Sequence, residues 1–350
     1  MKQTIMSGTP PPQRASLPWR LGSMAVMGSV GMLSRGFLYG LNSVEVEGLD
    51  NLLGVLDRRK AHQRNCGLLT VCNHAAVIDD PLIWGILPMR YAFDPENLRW
   101  GLGAHDICFK NKVLSTFFSL GQVLPTHRSW HSPHGGLFQP TMTEALKLLS
   151  SPSSVINQKN PLTFSTNSED SFLSPAQFVS NHHAWVHVFP EACCHQNQEG
   201  TLRYFKWGVS RLILESEPAP EFIPMYVHGT QNIMSEERGF PRFAPRIGQR
   251  FRMIIGEPTN VGRLFERERS QWKSLVEKAG DPDLLRDEPE AVQLRIDVAK
   301  RVRDEISKLR ERMGLAPDDD ETAALAETWL KEPNKRKFRS PVDGSLVNRH

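Results

Sequence analysis

Short apolar runs alternate with amphipathic stretches along the chain, and the alternation predicts an α/β protein. Leu68–Cys72 is a short apolar, β-rich run bounded by turn residues, the form a buried central strand takes in sequence. Gln122–Pro125, Trp185–Glu191, Phe222–His228 and Phe251–Gly256 repeat the pattern. Helical spacing falls between them, at Leu82–Leu87, at residues 110–120 with Val113, Phe117 and Leu120 on one face, and at Thr141–Leu149. Two longer stripes come last. Val261, Leu264, Phe265, Trp272, Leu275 and Val276 form one; Leu294, Val298, Val302, Ile306, Leu309 and Met313 form the other, stopped by Gly314 and Pro317.

Composition narrows the picture. The 350 residues, 39% hydrophobic and 23% charged, suit one large α/β domain with appendages or two modest ones. A formal charge of +3, with neither a Walker loop nor a zinc-finger spacing, argues against nucleic acid as a partner. The five cysteines, Cys66, Cys72, Cys108, Cys193 and Cys194, form no C-x-x-C pair and demand no oxidising compartment. Cys193-Cys194-His195 could suggest a metal or redox pair, and His182, His183 and His195 a zinc site. Idle thiols are the simpler reading, and the histidines lack a ligand spacing, so neither metal nor cofactor is expected.

Residues 1–44 contain no Asp or Glu, while Lys2, Arg14, Arg20 and Arg35 are basic, a composition shared by import segments and membrane-surface helices. Leu21–Ser34 is uncharged over fourteen residues, shorter than the roughly 20 that span a bilayer. A secretory signal, an interfacial or re-entrant anchor, and a helix packed on the domain all compete for it. The long polar lead and the lack of a small-residue cleavage site disfavour the signal. Trp19, Phe37 and Tyr39 suit a headgroup zone, so a short membrane-interfacial anchor is expected. Residues 45–313 then form the domain, with 151–181 as a flexible insertion, and 314–350 a mobile charged tail.

Candidate chemistry gathers where strands end. His74 lies just past the first strand, and Asp80-Pro81 signals a helix start, with the aspartate as cap. Asp79 follows His74 by five residues, so the two meet only if the backbone turns. In that turn the carboxylate would orient the imidazole as a general base, or would simply cap the loop. Arg128 beyond the second strand suits a phosphate or plain solvent. His187 and Glu191 place polar groups where a buried strand ends, and these need partners. Arg203, Lys206 and Arg211 crowd cations near aromatic groups, suiting an anionic headgroup or a snorkelling surface.

In order, Asn73-His74-x-x-x-x-Asp79-Asp80-Pro81, Gly121–Arg128, Val188-Phe189-Pro190-Glu191 and Ile223-Pro224 resemble the four blocks of the glycerolipid acyltransferases. The resemblance covers about residues 36–312 without the 151–181 insertion. It implies a single domain with a central mixed β-sheet flanked by helices. Asp79–Leu87, Asp106–Phe109, Phe118–Gly121, Trp185–Glu191 and Arg203–Gly208 match most closely the branch that moves acyl chains between phospholipids without coenzyme A. The implied reaction carries an acyl chain from phosphatidylcholine to monolysocardiolipin, remodelling cardiolipin on mitochondrial membrane leaflets facing the intermembrane space. By the resemblance His74 is the base, Asp79 orients it, Arg128 holds the acceptor phosphate, Glu191 positions the glycerol region, and Arg203 and Lys206 contact headgroups. An acyl-CoA-dependent lysophospholipid acyltransferase and a weakly catalytic cardiolipin-binding membrane protein are the alternatives. Two positions depart from the family pattern: Ala192 replaces the glycine after the glutamate, and Cys194 an arginine. If the backbone at Ala192 has a positive φ, alanine carries a cost.

Overall fold

Strands buried on both faces need helices on both sides, and the computed structural model supplies them. It describes residues 14–61, 64–129, 131–151, 162–196, 198–317, 321–326, 338–339 and 346–347. The first half runs α1 (Leu17–Leu41), β1 (Ser43–Glu47), α2 (Leu49–Ala61), β2 (Leu68–Cys72), α3 (Asp79–Trp84), α4 (Met89–Ala92), β3 (Arg99–Ala104), α5 (His105–Cys108), α6 (Lys112–Leu120), β4 (Val123–Thr126) and α7 (Pro140–Leu149). After a hairpin of β5 (Thr163–Phe164) and β6 (Phe172–Leu173) come β7 (Trp185–Val188), α8 (Gly208–Glu215), β8 (Glu221–His228), α9 (Thr230–Ile233), β9 (Arg250–Ile255), β10 (Thr259–Asn260), α10 (Val261–Leu264), α11 (Glu266–Ala279) and α12 (Pro289–Arg312).

The main sheet is ordered β1-β9-β8-β2-β7-β3-β4, with β10 beside β8. β9 and β10 pair antiparallel with β8, and the other pairings are parallel, so the sheet is mixed. Alternate residues of the central strands feed opposite faces. Leu69, Val71 and Val186 join α7, α8, α11 and α12 in one core; Leu68, Cys72 and Trp185 join α2 and α3 in the other. Both long stripes bury as their spacing predicts, through Val261, Phe265, Trp272 and Leu275 and through Leu294, Val298, Val302, Ile306, Leu309 and Met313. Because β8, β2, β7, β3 and β4 are mutually parallel, their carboxyl ends share one rim, where open α/β sheets form their crevices.

The amino-terminal element differs from the fourteen-residue stretch. It is a 25-residue helix, roughly 38 Å long. By length and composition it could cross a membrane. The cations at either end of the uncharged stretch do not stop it, because the domain engages both. Arg20 pairs with Glu96 at 3.4 Å, and Arg35 turns inward to donate to the carbonyls of Gly85, Ile86 and Leu87. Small residues, Ser23, Gly28, Gly31 and Ser34, form the buried face of α1, while Leu17, Leu21, Met32 and Leu33 face outward.

Two further expectations need correction. Residues 162–181 pack on the domain: Ala176 and Phe178 are buried, and Phe172 meets Phe109 edge-on at 5.4 Å. They are a wall, not a loose insertion; residues 152–161 lie outside the described residues. The start of the tail also packs, with Leu315 against the core and Ala323 beside Tyr204; residues 318–320, 327–337, 340–345 and 348–350 lie outside the described residues.

α1 crosses the domain where Gly85 leaves no room. A Cβ there would lie 2.8 Å from the backbone carbon of Ser34 and 3.0 Å from the amide nitrogen of Arg35. Gly85→Ala is therefore expected to cost about 1–3 kcal/mol and to loosen α1. Urea unfolding and limited proteolysis check this; an unchanged midpoint with no new cleavage near Arg35 would contradict it.

Candidate active site

The rim begins where β2 stops. Asn73 prolongs the strand with its side chain, donating to the Val227 carbonyl at 2.9 Å and accepting from the Val227 amide at 2.8 Å. The backbone then reverses, and the Asp79 amide donates to the Ala76 carbonyl at 3.0 Å. That reversal closes the five-residue gap. Asp79 Oδ2 accepts from the amides of Ala75 at 2.6 Å and Ala76 at 2.8 Å, and from His74 Nδ1 at 2.9 Å. The carboxylate is fully buried.

A carboxylate that already takes two backbone amides is an acceptor, so Nδ1 carries the ring proton and Nε2 keeps its lone pair. The His74 side chain is 21% exposed, and Phe189 stacks on its ring at 4.4 Å. Cys194, the departure from the family arginine, lies with Sγ 3.5 Å from Nε2. Burial alone would lower the His74 pKa. The Asp79 hydrogen bond and the charges of Asp79, Glu191 and Asp80 outweigh it, and the net shift is upward.

Asp80 is not the cap that the sequence suggests. It pairs with Arg99 and accepts from Trp84 Nε1 at 3.0 Å. Burial pushes its pKa up, but Arg99 and Trp84 prevail, so the carboxyl lies below its usual range. His187 is structural too. Its Nδ1 lies 2.7 Å from Thr70 Oγ1, and burial drives its pKa down to about 3, keeping the ring neutral.

Glu191 stands at the end of β7, but not where a substrate could reach it. It is 1% exposed; Oε1 accepts from the His74 amide at 2.9 Å and Oε2 from the Arg203 amide at 3.5 Å. The expected glycerol contact is thus corrected to a backbone tie between two loops. Arg203 is likewise buried, with its guanidinium at Cys193 Sγ and 5.0 Å over the Tyr204 ring, so it does not present an open headgroup contact. Lys206 stays half-buried, with Nζ 5.2 Å over the same ring. α12 reaches in to hold this loop: Arg303 donates to the carbonyls of Leu202 and Arg203, and Arg310 to those of Glu199 and Gly200.

Arg128 follows β4 on the same rim, three strand spacings from β2, roughly 14 Å. It does not meet His74. One guanidinium edge engages both oxygens of Asp106, with Nε 3.2 Å from Oδ1 and Nη2 at Oδ2, so a phosphate on that edge would compete with the carboxylate. His182 and His195 are spent on the Ala176 carbonyl and the Thr201 hydroxyl. Among the described residues, the group of three with converging metal-type donors is His105, His127 and Asp170, which sequence reading did not bring together. Sequence reading also missed the roles of Asn73, Phe189 and Arg99.

Residues 43–228 match the family model described as Acyltransferase, a span that takes in the turn, the β7 end and Lys206. The chain is 34% identical to the Saccharomyces cerevisiae tafazzin, over 96% of this chain and 89% of that one. It is 31% identical to the Dictyostelium discoideum protein named Taffazin, over 67% and 68% of the two chains. With Drosophila melanogaster tafazzin it shares 29% identity over 69% of this chain and 53% of the other.

Ala192 does adopt the left-handed backbone, with φ 55°. An L-residue there costs about 1–2 kcal/mol, partly offset by the extra unfolded-state freedom of glycine. Ala192→Gly should stabilise the protein by up to about 1 kcal/mol in urea unfolding; a lower midpoint would refute this. Burial also pushes the Glu191 pKa up from 4.5 to about 7, against the His74 and Arg203 donors. The folded state therefore holds this proton more tightly than the unfolded chain. Its stabilising contribution is complete below pH 4.5, declines as pH rises, and is lost through pH 7. The difference in unfolding free energy between wild type and Glu191→Gln should follow that slope and level off above it. A difference independent of pH would count against the shift.

Proposed function

The chain belongs to the tafazzin branch of the acyltransferase family, and from that premise we propose that it is a coenzyme A-independent transacylase that remodels cardiolipin. The donor is a phospholipid of the phosphatidylcholine type and the acceptor is monolysocardiolipin. The observation that carries the reading is His74 Nε2, a lone pair on a rim whose opposite ring nitrogen is fixed by the buried Asp79.

On this reading Nε2 takes the proton from the acceptor hydroxyl as its oxygen attacks the donor ester carbonyl. Asp79 steadies the imidazolium that forms. The tetrahedral intermediate collapses by breaking the donor ester C–O bond, and His74 returns the proton to the departing lysolipid oxygen. Ester is exchanged for ester, so the step needs no thioester to drive it. Arg128 is the phosphate contact if Asp106 yields it, and Lys206 is a second headgroup cation. Cys194 Sγ occupies the ground beside Nε2 that the hydroxyl must take.

Large apolar side chains left exposed support interfacial association with one leaflet. They include Leu21 and Leu33 on α1, Val113 and Phe117 on α6, and Phe240 (93% exposed), Phe243 and Ile247 between α9 and β9, where Arg242 and Arg246 add positive charge. The location that goes with this reading is the mitochondrial membranes, facing the intermembrane space; the acid-free, basic residues 1–44 support it.

Vesicles of phosphatidylcholine and monolysocardiolipin, free of coenzyme A, provide the test. Wild type should exchange acyl chains, and His74→Ala should lose activity by about 10²–10⁴-fold or more. Below its raised pKa the imidazole is protonated and inactive, so the acid limb of the rate profile should be displaced upward from that of an ordinary histidine. An absolute need for acyl-CoA would favour the coenzyme-dependent alternative. Vesicle binding without turnover would favour the lipid-binding one.

A further inference from the structure

His105, His127 and Asp170 reach one point from three separate segments. His105 opens α5 directly after β3, His127 directly follows β4, and Asp170 lies between β5 and β6 in the wall that packs on this rim. One donor atom from each lies within 4.8 Å of the other two. His105 Nε2 is 3.2 Å from Asp170 Oδ2, and the two imidazole rings lie 4.3 Å apart, 20° from parallel. His74 and Asp79 make no use of this group.

We propose that these three side chains bind one divalent first-row cation of the zinc class. Two imidazoles and a carboxylate are the mixed nitrogen and oxygen donors such ions take, at about 2.0–2.2 Å. Ligand atoms around a tetrahedral ion of that size stand about 3.3 Å apart, close to the separation of His105 Nε2 and Asp170 Oδ2.

The surroundings orient the carboxylate, and the two stacked imidazoles have only to turn out of parallel for their nitrogens to meet one ion. Asp170 Oδ1 accepts from Ser165 Oγ at 2.9 Å and from the Thr166 amide at 2.6 Å, which aims Oδ2 at the histidines. The Thr166 hydroxyl donates to Oδ2 and lies 2.8 Å from His127 Nε2. This hydroxyl already bridges two of the three ligands, and a bound cation takes over the bridge. Access is open, since the His105 and Asp170 side chains are 21% and 16% exposed.

Bound there, the ion staples the β5–β6 wall to the ends of β3 and β4. It also adds positive charge one residue from Arg128. The acyl-transfer chemistry does not pass through it, so the site and the transacylase reading stand or fall separately.

The test uses the full-length chain without a histidine tag, in detergent, stripped with chelator and dialysed against Zn²⁺, then in parallel against Mg²⁺ or Ca²⁺. Mass spectrometry of the metal should find one equivalent of zinc on wild type and none of the two alkaline-earth ions. His105→Ala and Asp170→Asn should each lose the zinc. Asp170→Asn keeps the volume and a carbonyl acceptor for Ser165 and Thr166, so an unchanged far-ultraviolet circular dichroism spectrum separates ligand loss from misfolding. Zinc should raise the melting temperature of wild type by several degrees and leave that of Asp170→Asn unmoved, and Co²⁺ should give visible ligand-field bands only with wild type. Zinc absent from wild type, or held equally by both variants, overturns the proposal and leaves the cluster as a hydrogen-bonded clasp.

Discussion

Asp79 is withdrawn from solvent where β2 gives way to α3, and a carboxylate in that position must find donors or cost several kcal/mol. Two of its donors are amides of the turn itself, and the third is the His74 ring. The backbone has to reverse for Ala75 and Ala76 to reach it, and the same reversal lays the imidazole on the rim with one nitrogen occupied. Histidine orientation is thus a consequence of satisfying a buried charge. Asn73 prevents the turn from sliding, because its amide is locked into β8 on the far side.

A second carboxylate extends that control to the next strand. Glu191 ties the His74 amide to the loop of Arg203, and α12 holds the same loop through Arg303 and Arg310. The base, the β7 end and a helix from the far end of the chain therefore form one mechanical unit. The cations that looked like headgroup ligands serve partly as struts, which leaves Arg128 and Lys206 as the more open ones.

The five strands with largely apolar runs were legible in the sequence, because residues buried on both faces of the sheet leave little alternation to misread. The long stripes, one running through α10 and α11 and the other along α12, were legible for the complementary reason. β1 was not: as an edge strand it alternates glutamate with half-buried valine. β3 was hidden by Gly101 and Gly103. α1 outran its uncharged stretch because Glu96 and three carbonyls absorb the arginines, information that lies far along the chain. The pairing of His74 with Asp79 could be read from motif order, and the strain at Ala192 from a single departure. The burial of Glu191 could not, since a glutamate at a strand end looks the same whether it faces substrate or backbone. His105, His127 and Asp170 were invisible for want of any local spacing.

α1 carries two sets of residues that answer to different demands. Its inner face is fixed by steric contact with Gly85, where a Cβ would meet Ser34 and Arg35, whereas Leu17, Leu21, Met32 and Leu33 on its outer face are exposed. Over evolutionary time the outer positions can drift to suit a bilayer of another thickness, curvature or charge while the catalytic turn keeps its shape. The helix separates adaptation to the surroundings from inheritance of the chemistry.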